Sequence, residues 1–312
     1  MSKIVCLGIS VADVIVKTVD KIPEKGKLGL VDKIELHTGG CAVNAAIDLA
    51  KLGEEVAIIT LVGKDGFGDF ITEKLIEARV DIEGLKASSM AGTSSSVALL
   101  NSDSERTFIH YLGTNAIFSE EDIDMDVIEK SEILFIAGAL LMPAFDGEPT
   151  GRILKSAQKM GKYTVLDTAW DSTGRWRSVI KHCIPYLDLF IPSIEEAQMI
   201  SGKQNEVEIA QDFLNLGAKN VVIKLGSRGC FVKNHVSAFY VDAFKVKAVD
   251  TTGAGDSFVA GFITGLSNGW DFRKCAQFAN AVGAYCVMKM GASNGIKSKE
   301  EILSFIKESA SF

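Results

Sequence analysis

A glycine-containing turn between an extended segment and an apolar helix constrains this sequence more than any other feature. Residues 250–256 read D-T-T-G-A-G-D, after a β-rich stretch at 238–249 and before a helical pattern of small and apolar residues at 257–266. Glycine adopts positive φ without strain and lets a ligand approach the backbone. The unpaired N–H groups and the positive dipole end of such a helix attract anions. We therefore expect an anion site at Gly253, Ala254 and Gly255.

A carboxylate inside this anion site points to chemistry rather than to binding alone. Asp256 would repel a bound phosphate, but it can take the proton of a hydroxyl group that receives a phosphoryl group. Asp is also a common helix N-cap, and glycine is common in strand-to-helix turns, so a short G-x-G-D run would leave both interpretations open. The complete run, with an acidic residue at each end, favours the catalytic interpretation.

Composition narrows the class of protein. A chain of 312 residues with 47% hydrophobic and 23% charged residues can form one large α/β domain or two small ones. A net charge of −7 without a long basic run disfavours nucleic acid and anionic membranes as partners. No apolar stretch approaches the roughly 20 residues that span a bilayer.

The cysteines predict a reducing compartment. The six thiols form no C-x-x-C pair and most lie in apolar surroundings, so we expect reduced, buried cysteines and no zinc site. A strand-like segment begins at residue 3, which leaves no room for a signal peptide before it. Together these features predict a cytoplasmic protein.

Alternation of strand and helix patterns predicts the architecture. Strand patterns at 133–137, 163–167, 187–191 and 221–225 alternate with helical patterns, which indicates a parallel sheet covered on both faces. Ligands then bind outside the carboxyl ends of the strands. Two antiparallel pieces, near residues 11–36 and 94–112, do not fit this alternation and predict a small sheet that projects from the body. We expect one α/β domain over residues 1–312.

Two motifs resemble signatures of a known family. The run D-T-T-G-A-G-D-S-F, from residue 250, resembles the second signature of the ribokinase-like (PfkB) carbohydrate kinases, and G-G-C-A-V-N-A-A at 39–46 resembles the first. They have the order and spacing found in that family, and the resemblance covers essentially the whole chain. It implies a ribokinase-like α/β fold, in which a central, mostly parallel sheet is flanked by helices on both faces and a small projecting β-sheet forms a lid over the sugar.

The resemblance also implies roles for individual residues in phosphoryl transfer. Asp256 would be the catalytic base, and Gly253, Ala254 and Gly255 would form the anion hole. Lys224 and Gly226 would lie near the phosphates and the ribose of bound ATP. Asn280 would lie in the adenine pocket. On the sugar side, the residues that would bind substrate hydroxyls are Asp13, Gly39, Gly40 and Asn44.

Metal binding is the third implication. Residues 192–197 resemble the family's P-N-x-x-E-A run, whose Glu organises Mg²⁺ and its waters, and Glu196 matches that position. Ser193 replaces the family Asn, and the same residues also predict a helix capping box, an interpretation that can hold together with the first. Asp250 and Thr252 resemble positions that bind a monovalent cation in some members, which suggests K⁺ activation.

Departures from the family pattern bear on the substrate. Cys41 stands where members that act on phosphorylated sugars, and ribokinases, commonly have Lys, which favours a neutral substrate. Residues 167–171 resemble a D-x-N-x-R run, but Ala169 and Asp171 replace its Asn and Arg. The leading hypothesis is ATP-dependent phosphoryl transfer to a hydroxymethyl group of an unphosphorylated sugar or polyol. A nucleoside kinase, with Phe108, Tyr111 or a tryptophan lining a base pocket, is the first alternative.

Two other classes of protein receive less support. A non-catalytic sugar-binding protein would have no need of Asp256 in an anion site. A nicotinamide oxidoreductase is disfavoured because G-x-G-x-x-G is missing after the first strand. The exposed edges of a projecting lid sheet also suggest a homodimer that pairs through the lid.

Overall fold

The computed structural model describes residues 3–103 and 106–309. Its strands belong to two sheets. The first strand begins at Ile4, close to the predicted start at residue 3. The strands are β1 (Ile4–Gly8), β2 (Val11–Lys17), β3 (Lys33–Gly39), β4 (Val56–Gly63), β5 (Asp81–Ser88), β6 (Ser95–Leu100), β7 (Arg106–Tyr111), β8 (Ile133–Ala139), β9 (Tyr163–Thr168), β10 (Leu189–Phe190), β11 (Asn220–Lys224), β12 (Cys230–Asn234) and β13 (Ala238–Val241).

Helices connect most of these strands. Short 3₁₀ turns lie at Glu120–Asp122, Ile184–Tyr186 and Gly226–Arg228. Within the described residues, no helix is both long and apolar enough to cross a membrane. The α-helices are α1 (Cys41–Lys51), α2 (Gly66–Glu77), α3 (Thr114–Ile117), α4 (Met125–Glu129), α5 (Glu148–Lys159), α6 (Trp176–Ile180), α7 (Ile194–Ser201), α8 (Glu206–Asn215), α9 (Ala254–Ser267), α10 (Phe272–Val287) and α11 (Lys299–Ser309).

The large sheet has the order β13-β12-β11-β10-β9-β8-β1-β4-β5. Its strands from β11 to β5 run parallel, and only the pairings of β12 with β11 and with β13 are antiparallel. All residues of β1 and β8 are buried, as expected for central parallel strands covered on both faces. This arrangement confirms the predicted doubly covered α/β sheet.

Strand alternation divides the core between the two faces of this sheet. Ile4 and Cys6 of β1 pack on one side with α1, α9 and α10, whereas Val5 and Leu7 pack on the other side with α5 and α8. Successive side chains of a strand point to opposite faces, so each strand contributes to both clusters. The helices on both faces are therefore positioned by packing against the same strands.

The second sheet is the predicted projecting one, with the order β3-β2-β6-β7. It pairs β2 with β3 and β6 with β7 antiparallel, while β2 and β6 are parallel. We refer to this four-stranded sheet as the lid. The first predicted piece, near residues 11–36, contains β2 and the start of β3, which begins at Lys33 and ends at Gly39, and residues 18–32 form no strand. Ser104 and Glu105, in the predicted turn between β6 and β7, lie outside the described residues.

The extended stretch expected at 238–249 is wrong beyond Val241. Strand β13 pairs only with β12, and its last residue, Val241, lies opposite Cys230, where β12 begins. Residues 242–249 therefore have no neighbouring strand and run irregularly to the D-T-T-G-A-G-D turn. The turn follows a loop rather than a strand, although the helix after it begins as predicted.

Candidate active site

The two glycine signatures meet at the N-termini of α1 and α9, which pack side by side. The Asn44 Nδ2 group, in the first turn of α1, donates a 2.8 Å hydrogen bond to the Asp256 Oδ2 atom of α9. Asn44 is 4% exposed, and its Oδ1 atom is buried without a hydrogen-bond partner among the residues that the structure describes. A buried acceptor of this kind is costly unless a ligand donor reaches it. The pair therefore presents a carboxylate and an amide oxygen to one place.

The turn before α9 depends on its first glycine. Gly253 is the N-cap of α9 with φ 75°, a conformation that favours glycine, and a Cβ atom there would lie 2.5–2.6 Å from atoms of Ala292. The Ala254 N–H donates to the Thr251 carbonyl at 3.2 Å, so this amide supports the turn itself. The amides of Gly255 and Asp256 follow in the first turn of the helix, where N–H groups have no intrahelical acceptor.

A buried ammonium group faces this helix N-terminus. The Lys224 Nζ atom lies 3.4 Å from the position that a Cβ on Gly255 would occupy, and it pairs with Asp167 Oδ2 at 2.5 Å. The side chains of Lys224 and Asp167 are 12% and 2% exposed. Burial alone would lower the pKa of Lys224, but Asp167, Glu196 and Asp256 raise it above its usual value, so the ammonium stays charged. The site thus holds a permanent cation beside the glycine turn.

The charge state of Asp256 results from opposing effects. Burial raises its pKa, whereas hydrogen bonds from Asn44 and Cys41 and the charge of Lys224 lower it. Burial, together with the charge of Asp256, raises the pKa of the Cys41 thiol well above its ordinary value. Cys41 is therefore a neutral donor to the Asp256 carboxylate, because a neutral thiol still carries its hydrogen.

Asp167 was not predicted as a site residue from the sequence, and only the fold identifies it as one. It is the last residue but one of β9 and Lys224 is the last residue of β11, and the short strand β10 lies between these two strands. The carboxyl ends of parallel strands lie at the same edge of the sheet, so two residues 57 positions apart become an ion pair. The D-x-x-x-D pattern at 167–171 did not indicate Lys224 as the partner of Asp167, because the resemblance of this segment to a D-x-N-x-R run concerned the substrate.

Glu196, the carboxylate predicted on the metal side, lies in the first turn of α7. Its Oε2 atom accepts from the Ser193 N–H at 3.1 Å and from the Thr168 hydroxyl at 2.9 Å. The Ser193 hydroxyl accepts in turn from the Glu196 N–H, which completes the predicted capping box of α7. Among the described residues, no group of three or more His, Cys, Asp or Glu side chains could hold a metal ion.

On the sugar side, Asp13 of the lid strand β2 approaches the first signature. Its carboxylate lies where a Cβ on Gly39 would be, so a larger residue at position 39 would displace it. Gly40 has φ 87°, and a Cβ on it would lie 2.6–2.8 Å from backbone atoms of residues 9–11. Burial raises the pKa of Asp13, a Ser96 hydrogen bond lowers it and the nearby charge of Asp256 raises it, with a net value of about 6. Asp13 of the lid and Asp256 of α9 are therefore close enough for their charges to interact.

Gly226 and Asn280, the other predicted nucleotide-side residues, lie after β11 and on α10. Gly226 begins the 3₁₀ turn after β11, with φ 59°. The Asn280 Nδ2 group donates to the carbonyls of Val241 and Asp242 at 3.1 and 3.2 Å, so Asn280 holds the loop that follows β13. A cavity of about 750 Å³ lies beside this loop; its lining residues are Tyr240, Val241, Asp242, Ala243, Phe244, Lys245, Arg273, Gln277, Phe305, Ile306 and Ser309.

The residues expected at a monovalent cation site form part of the turn. Asp250 is buried, and its two carboxylate oxygens accept from the N–H groups of Thr252, at 2.8 Å, and Gly291, at 3.0 Å. The structure thus brings together the loop at 250–252 and the loop at 291.

One supporting residue was missed at the sequence level. The Ser257 hydroxyl, next to Asp256, donates to the Asp48 Oδ2 atom at 2.5 Å. Asp48 lies one helical turn after Asn44, and burial raises its pKa to about 7. The spacing of Asn44 and Asp48 on one helix face was the available signal, because residues at i and i+4 lie on the same face.

Comparison with known proteins places the chain in a family. The family model for the pfkB family carbohydrate kinases matches residues 1–299. A ribokinase of Staphylococcus aureus is 27% identical over 310 residues, covering 96% of this chain and 98% of the relative, and an ATP-dependent 6-phosphofructokinase of Thermoanaerobacterium thermosaccharolyticum is 30% identical, with 84% and 82% covered. A structure of Arabidopsis thaliana ribokinase complexed with ribose and ATP has a TM-score of 0.87 and 24% identity, over 98% and 99% of the two chains.

These matches agree with the architecture and with the two signatures. The ribokinase-like fold, with its mostly parallel sheet and separate small sheet, is confirmed by the structural neighbours. The match to the family model extends through both glycine motifs and through the loop at 291. The chain belongs to the pfkB family of carbohydrate kinases, and it is a sugar kinase of the ribokinase type.

Proposed function

We propose that this kinase transfers the γ-phosphoryl group of ATP to a hydroxymethyl group of an unphosphorylated sugar or polyol. The observation that carries the proposal is the position of Asp256: its carboxylate is bonded to Asn44, faces Asp13 of the lid and lies near the ammonium group of Lys224. A base, a hydroxyl-binding carboxylate and a phosphate-binding cation are the groups that phosphoryl transfer to an alcohol requires.

Asp256 acts late in this reaction. An alcohol is a weak acid and the transition state is loose, so the carboxylate first orients the hydroxyl and takes its proton as the phosphoryl group arrives. The amides of Gly255 and Asp256 and the Lys224 ammonium stabilise the negative charge on the transferring group. Asn44 keeps the Asp256 carboxylate in place with its amide hydrogen, and its partnerless Oδ1 accepts from a substrate hydroxyl.

The nucleotide extends from this turn along α10. Gly283 of α10 packs against Ala254, and Gln277, which lines the large cavity, lies six residues earlier, or about 9 Å along the helix. Asn280 lies between them and holds the loop at 241–242. This distance suits a nucleoside whose phosphates reach the glycine turn. We therefore assign the base to the side of α10 marked by Gln277 and Asn280.

The residues present also fit the metal ions. Mg²⁺ keeps most of its waters and takes one or two carboxylates in addition to phosphate oxygens, and Glu196 and Asp167 offer these close to Lys224. When bound, Mg²⁺ neutralises phosphate charge, while Thr168 keeps the Glu196 carboxylate oriented. Asp250 and Thr252, with the loop at 291, would hold K⁺, and faster turnover in K⁺ than in Na⁺ is the expected sign.

The nucleoside kinase remains the second candidate, and one observation favours it. Phe108 lies on the same face of the lid as Asp13, because its strand partner Ala98 and then Ile15 share that face. Its ring is exposed, so it is available to stack on a base. Tyr111 pairs with Ser95 and so lies on the opposite face, which removes it from such a pocket.

We further propose that the chain forms a homodimer through the outer face of the lid. The side chains of Ile34, Leu36, Ile109 and Tyr111 all lie on the lid face opposite Asp13 and are exposed. A contiguous apolar sheet face of this kind marks an association surface. Light scattering at micromolar concentration should give a dimer mass for the wild type and a monomer mass for Ile34→Lys/Ile109→Lys. Equal masses would contradict this interface.

A coupled ADP-release assay tests the proposed activity. The panel contains neutral monosaccharides, polyols and nucleosides, the corresponding phosphorylated sugars and 2-keto acids, each with MgATP. We expect turnover with a neutral sugar or polyol and none above background for the phosphorylated ones. A nucleoside as the best substrate would favour the second candidate. Sugar binding without ADP release would instead point to a non-catalytic protein.

A further inference from the structure

A line of polar side chains crosses the lid on the face that carries Asp13. The strand register places Asp13 of β2 beside Ser96 of β6, and Ser96 beside His110 of β7. Side chains paired across a sheet point to the same face, so these three form one row, and His37 of β3 lies beside Asp13 on its other side. The Ser96 hydroxyl lies 2.9 Å from His110 Nδ1 and hydrogen-bonds to the Asp13 carboxylate. We call these three residues the lid row.

The direction of these hydrogen bonds follows from the hydrogens available. An ionised carboxylate only accepts, so Ser96 gives its single hydroxyl hydrogen to Asp13. Ser96 then has only lone pairs for His110, which means that Nδ1 of His110 carries a hydrogen and donates it. Burial lowers the pKa of His110, so the ring is neutral around pH 7 and its Nε2 atom is an acceptor.

We propose that Ser96 and His110 are positioning residues for Asp13 and set the specificity of the sugar side. The chain of hydrogen bonds from His110 through Ser96 holds one part of the Asp13 carboxylate, and the remaining lone pairs face the space in front of Asp256. The lid row then offers only acceptors to the substrate. It selects a neutral polyhydroxyl compound whose hydroxyl groups donate, and it repels phosphate and carboxylate groups. This inference rests on the proposed function.

The pH dependence of substrate binding follows from the surroundings of Asp13. Burial and the charge of Asp256 raise its pKa, while Ser96 lowers it, with a result of about 6. Loss of the Ser96 hydroxyl removes the lowering contribution, so Asp13 would lose its charge at a higher pH. Among the described side chains, the titratable or charged ones that lie on the same lid face as Asp13, or face it from α9, are Lys17, Lys33, Glu35, His37, His110 and Asp256.

The first test replaces the central residue of the row. In Ser96→Ala we expect KM for the sugar to rise about tenfold, the effect of losing a hydrogen bond to a charged group, while kcat stays within about twofold. KM for ATP should not change. The acid limb of kcat/KM for the sugar should move to higher pH. Ser96→Thr keeps the hydroxyl and should restore the wild-type values.

The second test separates the two ring nitrogens of His110. His110→Asn keeps a donor near the position of Nδ1 and should stay close to the wild-type KM, whereas His110→Phe keeps the ring shape without a donor and should raise it. Thr107→Ala is the matched control, because Thr107 pairs with Leu99 on the opposite face of the same strands. It should leave both KM and the pH profile unchanged.

Sugar binding by calorimetry distinguishes failure of the inference from failure of the proposed function. A wild-type enzyme that phosphorylates a sugar, with Ser96→Ala and His110→Phe indistinguishable from it in KM and pH profile, would overturn the role of the lid row alone. A wild type that binds a sugar without turnover would overturn the kinase proposal, and weaker sugar binding by Ser96→Ala would still support the lid row. Absence of binding for every compound in the panel would overturn both.

Discussion

Asn44 and Asp256 stand 212 positions apart in the sequence and are joined by a 2.8 Å hydrogen bond from the amide of one to the carboxylate of the other. Each belongs to the first turn of its helix, α1 or α9. The two glycine signatures, one predicted to bind the sugar and the other the phosphate, therefore meet directly at this hydrogen bond. A change at either residue must affect the other, which makes this pair the natural place to test the mechanism.

Removal of the base should abolish transfer without disturbing the fold. Asp256→Asn keeps the shape of the side chain but cannot take a proton, and we expect kcat to fall by about 10²- to 10⁴-fold, the usual contribution of general base catalysis. Steady-state ADP release with the best substrate of the panel measures this. Asp271→Asn is the matched control, since Asp271 caps α10 and Asn caps helices equally well. A fall of less than about fivefold for Asp256→Asn would contradict its role as the base.

Removal of the amide partner should shift the pH profile upward. The Asn44 hydrogen bond lowers the pKa of Asp256, so Asn44→Ala leaves a carboxylate that binds its proton at higher pH. Activity requires the ionised form, and the acid limb of kcat must then move to higher pH. A pH series of initial rates tests this, with Asn215→Ala on the exposed end of α8 as control. An unchanged or lowered limb would show that Asn44 does not act on Asp256.

Cys41 should behave as a neutral hydrogen-bond donor rather than as a reactive thiol. Burial and the neighbouring carboxylates of Asp256 and Asp167 raise its pKa, and only the thiolate reacts with alkylating agents. The folded protein should therefore resist iodoacetamide at Cys41 at pH 7.5, and peptide mass spectrometry should show labelling after unfolding in guanidinium. Rapid labelling of the native protein would contradict this assignment.

Substitution of Cys41 provides a second readout. Cys41→Ser keeps a donor to Asp256, whereas Cys41→Ala removes it, so only the alanine variant should shift the acid limb of kcat upward. The two variants differ little in size, which makes each the control for the other. Identical pH profiles would indicate that the thiol only fills space.

Loss of the Lys224 ammonium should be costly because its partner is buried. Lys224→Met leaves Asp167 without a counter-charge at 2% exposure, and removal of one member of a buried pair typically costs about 3–5 kcal/mol. Denaturant unfolding measures the free energy of unfolding. The double variant Lys224→Met/Asp167→Leu should recover much of the stability but not the activity, since phosphate binding needs the cation. Recovery of activity in the double variant would exclude Lys224 from the phosphate site.

Several features of the site could be read from the residues before the fold was known. The turn at Gly253, the helix after it and the partner signature at Asn44 depend on local sequence, because turn chemistry and helix starts are short-range properties. The capping box of Ser193 and Glu196 is local for the same reason. These predictions needed no knowledge of which strands are neighbours.

Other features depend on strand order and register, which a single sequence does not reveal. The pairing of Asp167 with Lys224 requires β9 and β11 to stand on either side of β10. The end of β13 at Val241 depends on where β12 begins, and the residues at 242–249 do not predict it. The lid row likewise exists only because Asp13, Ser96 and His110 share one register across three strands.

The contact between α1 and α9 also has a consequence for biosynthesis. A nascent chain that has emerged from the ribosome as far as β12 already contains the lid and the predicted sugar-side residues. The glycine turn at 253–255 still lies within the ribosome. Asn44 has no carboxylate to hold, and Asp48 has no hydroxyl to anchor, until residues 250–257 arrive. Under the proposed mechanism, more than four-fifths of the chain must therefore be synthesised before kinase activity can appear, and a chain that ends before residue 250 should consume no ATP.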